Sequence, residues 1–235
     1  MVLRFDGEPV WWRGPASHLV VARPAPEVPV PDDDTPRTTT PEHVPDAAGL
    51  SVHELDASTW DAFAELVERN NGIFGGCWCI GWHPECGQRG ISHRDVKERR
   101  VRTGGAHAAL VLDADGQAQG WAQYGSPQEL PNIKHRRRYD QEPPPVPDWR
   151  IACVFVDRRH RGRGVARLAL EGALDFIARQ GGGRVEAISE TTAGRDAQGR
   201  FLFSGTVELF DRYDFDRVRQ VGMHAWIVQR VLAAR

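Results

Sequence analysis

The segment VDRRHRGRGVA, Val156 to Ala166, has the residue types and spacing of an anion site. Gly162 and Gly164 carry no Cβ, so a bulky anion can approach the backbone there. Arg158, Arg159, Arg161 and Arg163 add positive charge. If the segment leaves a strand and opens a helix, its N–H groups and the helix's positive end converge on phosphate oxygens. Two other phosphate motifs fit worse. Arg167 stands where a dinucleotide fingerprint needs its third glycine, and no Gly-Lys-Ser/Thr follows as in a P-loop.

A second constellation is GGCWCIGWHPEC, Gly75 to Cys86, which holds three of the four cysteines. Cys77, Cys79, His83 and Cys86 are chemically suited to zinc. Their spacing argues against it, because Cys-x-Cys in an extended segment aims the two sulfurs to opposite sides. A redox pair would normally be Cys-x-x-Cys. No metal is therefore expected, and the cluster is read either as packing or as part of a pocket wall. Cys153 lies in an apolar run, where a thiol serves packing rather than attack.

The elements that must position these residues can be read from periodicity. WRIACVFV is a continuous apolar run, the pattern of a strand buried on both faces. After the glycine turn, Val165, Leu168, Gly172, Ala173, Phe176 and Ile177 recur on one helical face. Gly181-Gly182-Gly183 stops that helix, and RVEAISE is the next strand, which makes a βαβ unit. Upstream, LSVHEL reads as a strand, and Ser58-Thr59 opens a helix with Trp60, Phe63, Leu66 and Val67 on one side. Ser92 caps a polar helix, HRDVKERRVR. HAALVLD and AQGWAQYG form a hairpin around ADGQ. Residues 126–148 read as irregular, with a basic run from Lys134 to Arg138. TVELFDRY is a short helix, and FDRVRQVG and HAWIVQRVL are the closing strands.

Residues 1–23 read as a small β-hairpin around Arg13-Gly14-Pro15, and residues 24–48 as a proline-rich extended linker. Residues 49–235 form the compact domain. A net charge of −2 carries no field that would favour nucleic acid or an anionic membrane. No apolar run reaches the roughly 20 residues that span a bilayer. The charged start MVLRFDGEPV lacks the apolar core of a signal peptide, so a cytoplasmic protein with reduced thiols is expected.

Arg159-His160-Arg161-Gly162-Arg163-Gly164 resembles the Arg/Gln-x-x-Gly-x-Gly/Ala motif of the GCN5-related N-acetyltransferases (GNATs). The strand ACVFV before it, the helix after it, VEAISE and SGTVELFDRYDF resemble the same family, over roughly residues 50–235. The chain also resembles an uncharacterised bacterial subgroup of that family with Cys-Trp-Cys in the first loop. The resemblance implies an α/β (α+β) fold: a mixed sheet of six to seven strands with flanking helices and a V-shaped split between the fourth and fifth strands. It implies acetyl-CoA, or another acyl-CoA, as co-substrate. The strand residues Val154, Phe155 and Val156 would lie along the pantetheine arm. Arg159, Arg161, Gly162, Arg163, Gly164, Val165 and Ala166 would surround the pyrophosphate. A backbone N–H of the 149–156 strand would polarise the thioester carbonyl.

The acceptor would be a small-molecule or peptide amine that attacks directly, and the family also admits a homodimer. In the resemblance the cysteine loop borders the acceptor end, so Trp78, Cys79, Trp82 and His83, with Tyr124 of the third strand, would line it. Glu190, and after it Glu186, are the candidate bases: both lie on one face of the strand beside the split. Phe210 stands where many relatives carry a proton-donating tyrosine. Tyr213 is the nearest substitute, and Asp214 replaces the glycine of the family's Gly-Phe turn. These departures keep a second reading open, a degenerate GNAT fold that binds acyl-CoA or a ligand without transfer. A zinc-dependent regulatory module on the cysteine loop is the third.

Overall fold

The computed structural model describes residues 49–194 and 202–235; the expected N-terminal hairpin and linker lie outside them. The elements run β1 (Ser51–Glu54), α1 (Trp60–Glu68), α2 (His93–Arg102), β2 (His107–Leu112), β3 (Ala118–Gly125), α3 (Arg136–Gln141), β4 (Trp149–Val156), α4 (Val165–Arg179), β5 (Gly183–Glu190), α5 (Val207–Asp211), β6 (Asp216–Gln220) and β7 (Ala225–Leu232). Among the described residues no helix is long and apolar enough to cross a membrane.

The strands form one seven-stranded sheet in the order β1-β2-β3-β4-β5-β7-β6. Every neighbouring pair is antiparallel except β4 and β5, the pair joined through α4. β4 and β5 touch only at Trp149↔Val185 and Arg150↔Glu186, and then diverge. β5 stays paired with β7 along its whole length. The sheet thus splits in its middle, as expected. The register of β3 on β4 slips at the same place: Gln123 faces Cys153 but Tyr124 faces Ile151, so Ala152 is an extra residue. A bulge of this kind bends its strand and sharpens the local twist, which carries β4 away from β5 just past their last pair.

Alternation along the strands divides the core between the two faces. On one face Leu110, Trp121 and Cys153 pack under α1, α2 and the cysteine loop. On the other, Val111, Ala122, Ile151, Val154, Val185 and Val228 pack under α4 and α5. The apolar stripe of α1 is buried as its spacing predicted, and Ser92 Oγ accepts from the Asp95 amide to cap α2.

One expectation fails. Residues 126–148 contain a helix, α3, which local signals did not show. His135 enters it in a left-handed conformation, φ 53°. Its Tyr139 is buried in a small cluster with Ile188 and Ile227, and Arg219 of β6 donates to the carbonyls of Arg138, Tyr139 and Glu142 at the helix end. A single turn this polar is held by tertiary contacts rather than by propensity.

Gly172 fixes how close α4 lies to the sheet. A Cβ placed there would sit 2.3 Å from Val52 Cγ1 and 3.2 Å from Ala109 Cβ. Helix propensity favours alanine by about 1 kcal/mol, but overpacking against a stiff β-branched side chain costs about 1–3 kcal/mol. Gly172→Ala is therefore expected to lower unfolding stability in a denaturant titration. Gly172→Ala combined with Val52→Ala should lose less than the sum of the two single changes.

Candidate functional site

The split between β4 and β5 contains a small pocket, with a volume of about 20 Å³. Its walls are Ile151 and Ala152 of β4, Ala187 and Ile188 of β5, and Trp82, Lys134, Arg150, Glu186 and Ser204. The closed apex of the V is the Arg150–Glu186 step, and the opening widens toward Val156 and Glu190. Residues 202–206 run into this opening. The Val154 amide donates to Phe203 O at 2.8 Å, and Ser189 Oγ donates to Ser204 O at 2.9 Å. Thr206 forms a parallel bridge with Glu190. The segment is therefore tied to β4 on one side and to β5 on the other.

The glycine turn follows β4 directly. Asp157 accepts the Arg159 amide and opens one 3₁₀ turn, Arg158–His160. Gly162 and Gly164 take φ values of 77° and 79°, the left-handed region that glycine enters without a Cβ penalty. Open space lies above the Cβ position of Gly162. α4 starts at Gly164 with no side-chain cap, so its first N–H groups face outward beside Arg161, Arg163, Val165 and Ala166. The Arg159 side chain does not face that space. It folds back on Asp157, Nη2 to Oδ2 at 2.8 Å.

Asp157 is the post on which the turn stands. It is 1% exposed and accepts from Arg159, from Arg69 Nε at 3.0 Å and from Asn70 at 3.4 Å. The Arg159 guanidinium, its amide and Arg69 hold this carboxyl far below the usual carboxylate range.

Both candidate bases flank the cleft, in different states. Glu186, 1% exposed, accepts from Tyr139 (3.2 and 3.0 Å), Gln229 (2.9 Å) and Arg150 (3.4 Å). Burial pushes its carboxyl up, and these donors oppose the shift. Glu190 at the end of β5 lies 3.6 Å from Lys134 Nζ. Lys134 opens the basic run that extends to Arg138, a pattern that would ordinarily be a solvated face. It is instead 8% exposed and lies 4.1 Å over the Phe203 ring. Burial pushes its ammonium down to about 8, and Glu190 opposes that shift.

The cysteine loop is not extended, which removes the geometric premise used above for Cys-x-Cys. Trp78 and Cys79 have φ of 48° and 54°, and Asn71, Ile73 and Phe74 are also left-handed. The loop brings Trp82 to the cavity, where its ring lies 5.8 Å from that of Phe203. It sends the others into the core. Trp78 stacks on Trp60 at 6.2 Å. Cys79 Sγ donates to Gln123 Oε1 at 2.8 Å. His83 Nδ1 lies 3.2 Å from Glu129 O, so it carries the proton, and Nε2 accepts from Gln123 at 2.8 Å with Lys97 at 3.4 Å. Burial and the Lys97 charge push the His83 imidazole down to about 2, which keeps it neutral. Burial raises the Cys77 thiol to about 11. Among the described residues no group of three or more His, Cys, Asp or Glu side chains is arranged to hold a metal.

Two tyrosines of the expected site lie away from the cleft. Tyr124 is on the α4 face of β3, within reach of Gln180 and Glu54. Tyr213 donates to Glu171 of α4 at 2.6 Å. Phe210 is fully buried, edge-on to Phe215. Asp214 has φ 55°, the glycine conformation of the turn it occupies.

The residues that sequence reasoning missed are Arg150, Ser204 and Lys134. Lys134 sat in a run of cations with no periodicity to show its burial. Ser204 is placed by the bond of its neighbour Phe203 to Val154, some fifty residues earlier, and by its own carbonyl accepting from Ser189.

Asp157 gives a test of the turn. Its folded pKa is depressed, so its stabilisation is present above the ordinary value of 3.8 and is lost as pH falls. Asp157→Asn is expected to cost about 2 kcal/mol at pH 7 by leaving Arg69 without its carboxylate. In denaturant titrations at several pH values, the gap between wild type and variant should be constant above about pH 5 and narrow progressively as pH falls below about 4.

The sequence profile of the acetyltransferase (GNAT) family matches residues 79–202, more than half of the chain. No curated protein sequence matches it. Among solved structures, mosquito arylalkylamine N-acetyltransferase-like 5b is similar at 9% identity with a TM-score of 0.50, covering 78% of this chain and all of its own. The histone acetyltransferase HPA2-related protein of Corynebacterium glutamicum is 16% identical with a TM-score of 0.48, over 80% of this chain and 98% of its own. A GCN5-related N-acetyltransferase from Kribbella flavida is 16% identical with a TM-score of 0.47, over 78% and 98%. The family profile spans the glycine turn and the β4-α4-β5 unit around the split, and the chain belongs to the acetyltransferase (GNAT) family.

Proposed function

We propose that the protein transfers an acetyl group from acetyl-CoA to a primary amine by direct attack in a ternary complex. The observation that carries this reading is the two-pair junction of β4 and β5, which opens onto the glycine turn and the uncapped start of α4. In this reading the pyrophosphate rests on the amides from Arg161 to Val165, with Gly162, Gly164 and Ala166 leaving it room. The pantetheine arm follows the free edge of β4 at Phe155 and Val156. The acyl group reaches the cavity bounded by Trp82, Ser204 and the Arg150–Glu186 apex.

The amine enters beside Trp82, and Glu190 takes its proton before attack. Lys134 Nζ faces Glu190 at 3.6 Å across the mouth of the cleft. Glu186 carries too many donors to act freely as a base, so its role is to hold Tyr139 and Arg150 at the apex. With Phe210 in the tyrosine position, the departing thiolate takes its proton from water. Much of the rate would come from holding amine and thioester together.

A second reading is acyl-CoA binding without transfer. Phe210 favours it, and so does the commitment of the Val154 amide to Phe203 O. Release of free thiol from acetyl-CoA in the presence of an amine panel separates the two. Tight CoA binding with no thiol released for any amine would support the binding protein. If transfer occurs, Glu190→Gln should lower kcat by about 10² while CoA affinity by calorimetry stays within about twofold. Unchanged turnover would remove Glu190 from the mechanism.

A further inference from the structure

In this fold a backbone N–H of the split strand is expected to polarise the thioester carbonyl. Here the Val154 amide is already engaged: it donates to Phe203 O at 2.8 Å. A second donor lies next to that bond. Ser204 lines the cavity and is 2% exposed, and its Oγ has no hydrogen-bond partner among the described residues. A buried hydroxyl without a partner costs about 1–3 kcal/mol. Such a group in a cleft marks a place where a ligand's acceptor completes the network.

Its position is held from both sides. The preceding carbonyl, of Phe203, is bonded to β4, and Ser204's own carbonyl accepts Ser189 Oγ of β5. Thr206 is bridged to Glu190, and the Phe203 ring is packed on Trp82 and Phe74 and lies under Lys134. The backbone that carries the hydroxyl is therefore fixed before any ligand arrives, and a fixed donor is what stabilisation of a developing charge requires. Two tyrosine hydroxyls of this region are already committed. Tyr139 donates to Glu186, and Tyr213 donates to Glu171 outside the cleft.

We propose that the Ser204 hydroxyl is the donor that binds the thioester carbonyl oxygen and stabilises the tetrahedral oxyanion, in place of the Val154 amide. The proposal rests on the acetyl-transfer reading above. No proton moves to or from Ser204 in this role. As the amine nitrogen bonds to the carbonyl carbon, the C=O electron pair moves to oxygen and the Ser204 O–H···O⁻ bond shortens. The nitrogen, positively charged once the C–N bond has formed, gives its extra proton to water; when the C–S bond breaks, the electron pair returns from oxygen and CoA leaves as thiolate.

The test needs no acceptor amine. Acetyl-CoA labelled with ¹³C at the carbonyl is bound to wild type, Ser204→Ala and Ser204→Thr, and the carbonyl stretch is read by infrared difference spectroscopy. Wild type and Ser204→Thr should show the band shifted to lower frequency than in solution. Ser204→Ala should bind CoA within about threefold of wild type by calorimetry and lose most of that shift. With any amine that wild type acetylates, Ser204→Ala should lower kcat by about 10² with little change in KM for acetyl-CoA. An equal shift in wild type and Ser204→Ala would overturn the role of Ser204 alone. Failure of wild type to bind acetyl-CoA would overturn the acetyl-transfer reading and this proposal with it.

Discussion

The structure turns on a sheet that comes apart in its middle. Backbone N–H and C=O groups inside a sheet are satisfied by the neighbouring strand, and a buried group left without a partner is costly. β4 leaves β5 after two paired residues, so the facing edges of both strands must find other partners. The protein meets this with residues 202–206, which accept from Val154 on one side and from Ser189 on the other. An extended ligand arm with amide groups can answer the same need by strand-like pairing. The split is thus both an energetic problem for the fold and the reason that the fold has a binding site. The Ala152 bulge and the Gly172 contact between α4 and β1 serve that one geometry.

Charge in the cleft is arranged in pairs rather than as a field. Arg150 faces Glu186 at the apex, and Lys134 faces Glu190 at the mouth. Burying such ions costs several kcal/mol each, and attraction between partners returns that only when the remaining donors and acceptors are also met. Glu186 meets this condition through Tyr139 and Gln229. The positive charge that is not paired off inside the cleft lies on the glycine turn, at Arg161 and Arg163. The molecule therefore separates a cleft of paired charges from a cationic turn, although its net charge is only −2.

How much of this could be read in the sequence depended on what kind of atom does the work. The glycine turn was legible because Gly162 and Gly164 mark left-handed backbone positions directly. The βαβ unit was legible from the apolar run of β4 and the helical spacing of α4. The carboxylates of β5 were legible by alternation, since residues 186 and 190 share a face. The cysteine loop was not. Five non-glycine residues between Asn71 and Cys79 take left-handed backbone, and that turns Trp78 and Cys79 into the core while Trp82 reaches the cavity. Nothing in their residue types encodes that turn. α3 was missed because its stability comes from Tyr139 and Arg219, whose partners lie far along the chain.

The departures from the family pattern are connected through the cleft. With Phe210 in place of tyrosine, the closing helix α5 buries a ring against Phe215 and brings no hydroxyl to the site. The segment that leads into α5 supplies one instead, at Ser204, six residues earlier. Placing Ser204 there requires the chain to cross the opening, and crossing it uses the Val154 amide. Loss of the tyrosine, engagement of the strand donor and an unpartnered serine hydroxyl are then three consequences of one path through the V. That path also explains why Lys134 is buried. The Phe203 ring that crosses with Ser204 needs a cover, and the Lys134 ammonium lies over its face with Trp82 beside it.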